Sequence, residues 1–297
     1  MVIVGVNNMP ELPEVETVVR GLTKHIVGQK IKSVKILHPR SFVWDHSMGP
    51  IQPSITDLTI NKIYRRGKGI IINLSKDLSI LIHLKMTGQL IYVEGKSRLN
   101  FGHPDPNFTL QMPSKHTRVI LSLSKGTLYF NDQRLFGWVK IIPTNEIPND
   151  KFIRNLGPEP FDLKFNLDYL WPILKRRAKS NIKSIIMDQS VVTGVGNIYA
   201  DESLFLSGLK PTRLGIKLTQ KQAAELIKNI QGVLKKGIKY MGTSISHYKT
   251  DEGASGKMQN HLNVYGRKGL PCKNCGQPIS KTRLNGRGTH YCHTCQL

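Results

Sequence analysis

Four cysteines stand at Cys272, Cys275, Cys292 and Cys295, a C-x2-C-x16-C-x2-C spacing confined to the C-terminal end of the chain. Two CxxC turns each offer a pair of thiolates to one ion. Four sulfurs close a tetrahedral shell and leave no position for a substrate, so the pattern predicts one structural Zn2+ rather than a catalytic metal. Between these ligands lie Lys273, Lys281, Arg283 and Arg287 without a single acid, while Ile279, Leu284 and Tyr291 suggest a small hairpin. A basic hairpin stapled by zinc suits entry into a DNA groove; plain solvated charge is the other reading.

Two further stretches carry unusual residue types. Near the start, Met9-Pro10-Glu11-Leu12-Pro13-Glu14 sets two prolines and two acids beside a second methionine. Proline is tolerated in a first helical turn and acids there favour the helix dipole, so Pro13, Glu14 and Glu16 fit a helix entrance without any chemistry. In the middle, Val192-Thr193-Gly194-Val195-Gly196-Asn197-Ile198-Tyr199-Ala200 puts glycines ahead of a helical segment. Such a turn lets backbone approach a ligand, and the helix that follows offers unpaired N–H groups to phosphate. It is not a dinucleotide fingerprint, because Tyr199 stands where a third glycine belongs and a helical run, not a strand, precedes it. Asn197 fits either a phosphate contact or an N-cap.

The elements that must position these residues are legible in the periodicity. Leu12, Val15, Val18, Val19, Leu22 and Ile26 repeat at helical spacing, and Gly28 supplies a stop. From about residue 31 to 142 short β-like runs take over, among them 70–74, 79–84 and 118–123, with turn signals such as Lys125-Gly126 between them. They predict a sandwich or barrel of antiparallel strands. Beyond Pro158-Glu159-Pro160 the pattern becomes helical: 182–189, 198–205, and 219–234 opening on the capping box Thr219-Gln220-Lys221-Gln222. The small, polar run 250–257 reads as a loop or a lid.

Lys and Arg number 43 against 20 Asp and Glu, a formal charge of +23. An excess of that size points to a polyanionic partner, because each cation that neutralises a phosphate releases a condensed counterion. Nucleic acid is favoured over a membrane surface. No apolar run approaches the roughly 18 residues of a spanning helix, and no signal peptide pattern follows the tip MVIVGV. A cytoplasmic, nucleoid-associated protein is therefore expected, with an organellar one not excluded.

PELPEVET near the start, GVGNIYADESLF in the middle and the four-cysteine finger at the end, in that order, resemble the formamidopyrimidine-DNA glycosylase family from Met9 to the C-terminus. The resemblance implies an α+β multidomain protein: an N-terminal antiparallel β-sandwich with a flanking helix, a helix–two-turn–helix domain and a zinc-finger hairpin. The expected boundaries are an extension with initiator methionine at 1–9, absent from the active protein, then 10–145, 146–250, a lid or linker at 251–263, and the finger at 264–297. The implied activity is excision of 8-oxoguanine and formamidopyrimidines from duplex DNA, followed by β,δ-elimination at the abasic site, by a monomer without redox cofactor.

Residue by residue, the family pattern makes Pro10 the nucleophile through its secondary amine and Glu11 the proton donor to the sugar, with Glu14 in support. Lys68 matches a phosphate-contacting lysine with a proton-transfer role in β-elimination, and Arg287 a phosphate clamp with such a role in δ-elimination. Met86, Arg134 and Phe136 match the trio that fills the gap left by an extruded nucleotide. Leu135 stands where some relatives carry a basic residue. His116, Lys179, Asn197 and Tyr265 match DNA-contacting positions. Met1–Asn8 depart from the pattern, since a proline inside a chain has no usable lone pair on nitrogen. Two other readings share many of these features: an endonuclease VIII-like enzyme for oxidised pyrimidines, disfavoured by Leu12 and by the Arg134/Phe136 pair, and a lesion-DNA-binding protein without chemistry.

Overall fold

The computed structural model describes residues 9–44, 49–102, 111–243 and 256–297. The octapeptide Met1–Asn8 and positions 250–255 of the expected lid lie outside the described residues. The chain divides into two units, one holding residues 9–154 with 241–243 and Gly256, the other 155–240 with 257–297.

In the first unit, α1 spans Leu12–Ile26, the range set by the apolar spacing. Glu11 is its N-cap, and Pro13 sits in the first turn, where an N–H is not needed. Gly28, at φ 83°, turns the chain away beyond Val27. The strands β1 (Ile31–Ile36) and β2 (Phe42–Trp44) and the short α2 (Ile51–Ile55) follow. Then come β3 (Ile60–Arg66), β4 (Gly69–Leu74), β5 (Leu78–His83), β6 (Gly88–Glu94), β7 (Ser97–Gly102), β8 (Thr117–Leu123), β9 (Thr127–Asp132) and β10 (Trp138–Pro143).

These strands make two five-stranded sheets, in the orders β1-β8-β9-β6-β7 and β2-β10-β5-β4-β3. Pairing is antiparallel except that β2 runs parallel to β10. β8 alternates buried and half-buried residues, as a strand with one covered face must. The central β4 and β5 are apolar on both faces because both are covered: Ile70, Ile71, Ile72, Ile80, Leu81 and Ile82 are all buried. One core joins the two sheets to α1, through Val15, Val18 and Leu22 of the helix. Helix and sheet approach closely at Gly21, where a Cβ would stand 2.2 Å from the Phe101 ring.

Residues 144–154 remain with the sandwich. A 3-10 turn and α3 (Lys151–Arg154) fold back on β10, Lys140 Nζ pairs with Asp150 Oδ2 at 2.9 Å, and Phe152 meets His83 and Trp138 edge-on. The division therefore falls after Arg154 rather than after residue 145.

The second unit contains α4 (Leu167–Arg176), α5 (Ile182–Met187), α6 (Asn197–Leu206), α7 (Gln220–Lys239) and the hairpin β11 (Ser280–Leu284) and β12 (Arg287–Tyr291). The capping box at Thr219 and Gln222 forms as expected. α4 is the helix that the spacing does not single out; it is capped by Asn166 and runs through Pro172, a residue that normally interrupts a helical pattern. α6 is buried on every face from Ile198 to Phe205, including Asp201 and Glu202.

Candidate active site and nucleic-acid surfaces

Pro10 is buried at the head of α1, and Glu11 is 2% exposed beside it. The Glu11 amide donates to Glu14 Oε2 at 3.1 Å. Glu14 Oε1 in turn accepts from Thr243 N at 2.8 Å and Thr243 Oγ1 at 3.1 Å. Both oxygens of Glu14 are thus engaged in bracing the head of α1, and the Glu11 carboxylate beside the proline accepts the Glu14 amide in the reciprocal half of a capping box. Lys68, in the turn between β3 and β4, is 5% exposed. A surface lysine is excluded by that burial, and a buried ammonium requires polar company. Arg65 Nε pairs with Glu16 Oε2 at 3.0 Å, fastening β3 and the turn it feeds to α1.

Two other turns of this unit meet. Met86 lies in the β5–β6 turn, and Arg134 and Phe136 lie in the β9–β10 turn. Arg134 Nη1 is 3.4 Å from Met86 Sδ, and its guanidinium carbon is 4.8 Å from the centre of the Phe136 ring. Phe136 is 53% exposed, so it is not a core residue. Beneath them the fully buried Asp132 accepts from Gly137 N through Oδ2 at 2.6 Å, and from Arg134 N at 3.2 Å and the Thr87 hydroxyl through Oδ1. The amide of Arg134 also reaches Thr87 Oγ1 at 3.1 Å. His116, half-buried just before β8, gives its carbonyl to the Asp132 amide at 2.9 Å.

His83, at the end of β5, is buried among Trp138 and Phe152. Its Nδ1 accepts from the Lys85 amide at 3.0 Å. Desolvation, aided by the charges of Lys85 and Lys68, pushes its pKa down to about 3, so the ring is neutral and remains an acceptor.

In the helical unit Gly196, not Asn197, is the N-cap of α6. Asn197 is the first helical residue, and its Nδ2 donates to Gly288 O at 2.9 Å, tying the helix to β12. One turn further on, Asp201 pairs through Oδ1 with Lys183 Nζ at 2.7 Å and accepts the His290 amide through Oδ2 at 2.8 Å. Lys183 Nζ also donates to Thr289 Oγ1 at 2.8 Å. Glu202 collects the amides of Asn263, Val264 and Tyr265 and the Asn263 side chain, at 2.8 to 3.0 Å. Burial pushes the Glu202 carboxyl up, while those four donors pull against the shift.

Arg287, at the start of β12, and Lys179, in the turn before α5, are exposed. Tyr265 is not: it is 4% exposed and its ring stands edge-on to His290, with centroids 4.8 Å apart. It packs behind the hairpin. Sequence reasoning passed over Asp132, Thr87, Lys183, Asp201 and Glu202. The available signal for the last two was a pair of acids inside the otherwise apolar run IYADESLFL, with no basic residue one turn away.

The four cysteine Sγ atoms lie within 4.8 Å of one another, with Cys272 and Cys295 at 3.9 Å and Cys275 and Cys292 at 3.5 Å. Sulfurs about 2.3 Å from a tetrahedral zinc ion are about 3.8 Å apart, so the cluster fits one structural Zn2+. The contact with Cys275, then burial and the other two thiols, push Cys295 up to about 12, and a bound cation is what would favour its thiolate. Phe205 of α6 packs against Cys272, Cys292, Val264 and Ile279 and seats the finger on the helix.

Three family models match the chain in succession: the formamidopyrimidine-DNA glycosylase N-terminal domain over residues 9–139, the formamidopyrimidine-DNA glycosylase H2TH domain over 156–249, and the zinc finger found in FPG and IleRS over 269–297. Sandwich, helix–two-turn–helix and finger define a class, the DNA glycosylases of base excision repair. The formamidopyrimidine-DNA glycosylase of Desulforamulus reducens is 42% identical over 97% of this chain and 99% of its own length. That of Crocosphaera subtropica is 41% identical over 97% of this chain and 98% of its own. Wild-type Lactococcus lactis Fpg in complex with N7-benzyl-Fapy-dG DNA has a TM-score of 0.83 at 35% identity, covering 97% of this chain and 99% of that one. The complex of the same enzyme with abasic-site DNA also gives 0.83 at 35% identity, over 96% and 99%. The chain belongs to the formamidopyrimidine-DNA glycosylase family.

Proposed function

We propose that this protein excises oxidised purines, 8-oxoguanine and formamidopyrimidines, from duplex DNA and then cuts the strand, acting as a monomer in the cytoplasm or nucleoid. The observation that carries this reading is the buried Pro10-Glu11 pair at the head of α1, in the unit that also buries Lys68. The nitrogen of a freed Pro10 attacks the sugar C1′, the bond to the base breaks, and the base departs with a proton. Glu11 protonates the ring oxygen as the sugar opens, and the proline–sugar bond becomes an iminium. That cation is an electron sink: loss of a C2′ proton expels the 3′ phosphate, and a second elimination expels the 5′ phosphate. Lys68 and Arg287 are assigned to proton transfer and phosphate contact in these two steps, and Asn197, Lys179 and His116 to the backbone. Water then releases Pro10.

The chemistry demands an unacylated Pro10, so the active form is expected to begin there, either through translation from Met9 and removal of that methionine or through processing that removes the extension. Intact-mass measurement on protein from the native host checks this. For protein confirmed to start at Pro10, borohydride should trap a covalent adduct through Pro10 on an 8-oxoguanine duplex, with much less on a thymine-glycol duplex. Binding without an adduct overturns the enzymatic assignment; the reverse lesion preference overturns the substrate class.

A further inference from the structure

We propose that Asp132, acting with Thr87, is a positioning residue that sets Met86, Arg134 and Phe136 in the arrangement needed to replace an extruded nucleotide. The inference rests on the reading of those three side chains as the gap-filling trio and names what holds them. Met86 and Arg134 belong to turns that are 48 residues apart in the chain, yet their side chains meet at 3.4 Å. A flexible methionine and an exposed arginine do not hold such a geometry by themselves, because each loses rotamer freedom in it.

The fixed point is underneath. Asp132 has no exposed surface, and its carboxylate is shared between both turns. Oδ2 takes the Gly137 amide at 2.6 Å and Oδ1 takes the Arg134 amide at 3.2 Å, which closes the β9–β10 turn around Leu135. The Thr87 hydroxyl, from the β5–β6 turn, donates to the same Oδ1 and receives the Arg134 amide at 3.1 Å. Both turns contain a non-glycine residue in the left-handed region, Lys85 at φ 50° and Leu135 at φ 58°. Such residues persist where surrounding bonds over-determine them. Space is equally constrained, since a Cβ on Gly88 would stand 2.3 Å from Leu84 O. Among the described residues, the side chains of Asp132 and Thr87 bond only to these two turns and to each other, and so orient the groups that reach outward.

The test uses Asp132→Asn, Thr87→Val and Thr87→Ser in the full chain confirmed to begin at Pro10. Asparagine keeps the shape but replaces one accepting oxygen with an amide that repels an N–H donor. Two substrates separate positioning from collapse. One is an 8-oxoguanine duplex, where a base must be extruded and its partner supported; the other is an abasic site facing a one-nucleotide gap, where there is neither. Single-turnover base release from the first should fall on the order of 100-fold for Asp132→Asn and Thr87→Val, the scale of an ångström of misplacement, and Thr87→Ser should recover most of it. The fluorescence rise of 2-aminopurine next to the lesion should fall in parallel. Borohydride trapping on the gapped abasic substrate should change less than about threefold, since the chemistry itself is intact. Equal losses on both substrates, or no loss on either, overturn the proposal. If Met86→Ala, Arg134→Ala and Phe136→Ala each leave base release unchanged while Asp132→Asn lowers it, the assignment of the trio is what fails.

Discussion

Two strand ends carry exposed arginines, Arg134 after β9 in the sandwich unit and Arg287 at the start of β12 in the helical unit, and a buried aspartate bonds a backbone amide of each segment. The aspartates work differently. Asp132 ends β9 and borders the turn it organises, and its partners there lie two and five residues away. Asp201 belongs to another element: it receives the His290 amide across 89 residues of sequence and needs Lys183 beside it at 2.7 Å. The surroundings explain the contrast. The β9–β10 turn closes strands that belong to two five-stranded sheets with a common core, whereas β11 and β12 form a two-stranded sheet. An isolated hairpin is at best marginal in water, so its position must be imposed from outside by zinc, by Asp201 and Glu202, and by Phe205. In the sandwich the carboxylate stands beside its own turn and needs one hydroxyl from the neighbouring turn; the small hairpin requires an ion pair and anchors from other elements.

Removal of zinc should break the comparison most visibly. Structural zinc contributes apparent binding free energy of about 10–16 kcal/mol in finger peptides, and folding of the finger is coupled to it. Chelation, or Cys292→Ser, should release the metal and lower lesion-duplex binding by at least about 100-fold. The sandwich should still melt as a separate cooperative transition in calorimetry. An apo protein with native DNA affinity would show that the hairpin stands without its staple.

The next largest effect should come from Lys183. Replacing it with methionine strands Asp201 as an unpaired buried charge, at a cost of about 3–5 kcal/mol. The double variant Lys183→Met/Asp201→Asn should cost less than the sum, because it leaves no lone charge. Asp132→Asn, which strands no cation, should cost only about 1–3 kcal/mol. Urea unfolding of wild type, Lys183→Met, Asp201→Asn, the double variant and Asp132→Asn measures the contrast. Equal losses for Lys183→Met and Asp132→Asn would mean that the ion pair adds nothing beyond hydrogen bonding.

What the sequence showed and what it hid follow the same division. α1 was legible because its apolar residues repeat at 3.6 and its ends carry Pro13 and Gly28. The zinc ligands were legible because metal geometry constrains spacing directly. α7 announced itself by its capping box. The anchors did not. α6 is buried all round, so periodicity assigns it no face, and its two acids read like surface charge until their partners come from residues 183, 263–265 and 290. Asp132 was equally silent, since a carboxylate in a turn is ordinary in any loop, and only folding brings Thr87 to it. Pairing β2 parallel to β10 is likewise a long-range outcome with no local mark.

The smallest expected effect concerns acid and sharpens the comparison from the sandwich side. His83 holds the β5–β6 turn as a neutral acceptor for the Lys85 amide, and its pKa is down at about 3 against 6.5 when exposed. From about a pH unit above 6.5 upward the ring is neutral in folded and unfolded chains alike, so it confers almost no pH dependence there. Below that value the unfolded chain takes up a proton that the folded one refuses, so stability must fall as pH falls. From this group the slope approaches about 1.4 kcal/mol per pH unit and ends only near the folded value. His83→Asn retains an acceptor near Nδ1 but cannot titrate. Wild type should therefore lose about 1 kcal/mol more than the variant between pH 6.5 and 5.5, with contributions common to both proteins, including acid weakening of the zinc site, cancelling in the difference. Parallel urea-unfolding curves across that interval would show that His83 is protonated in the folded protein, and that its turn is held by something other than a neutral ring.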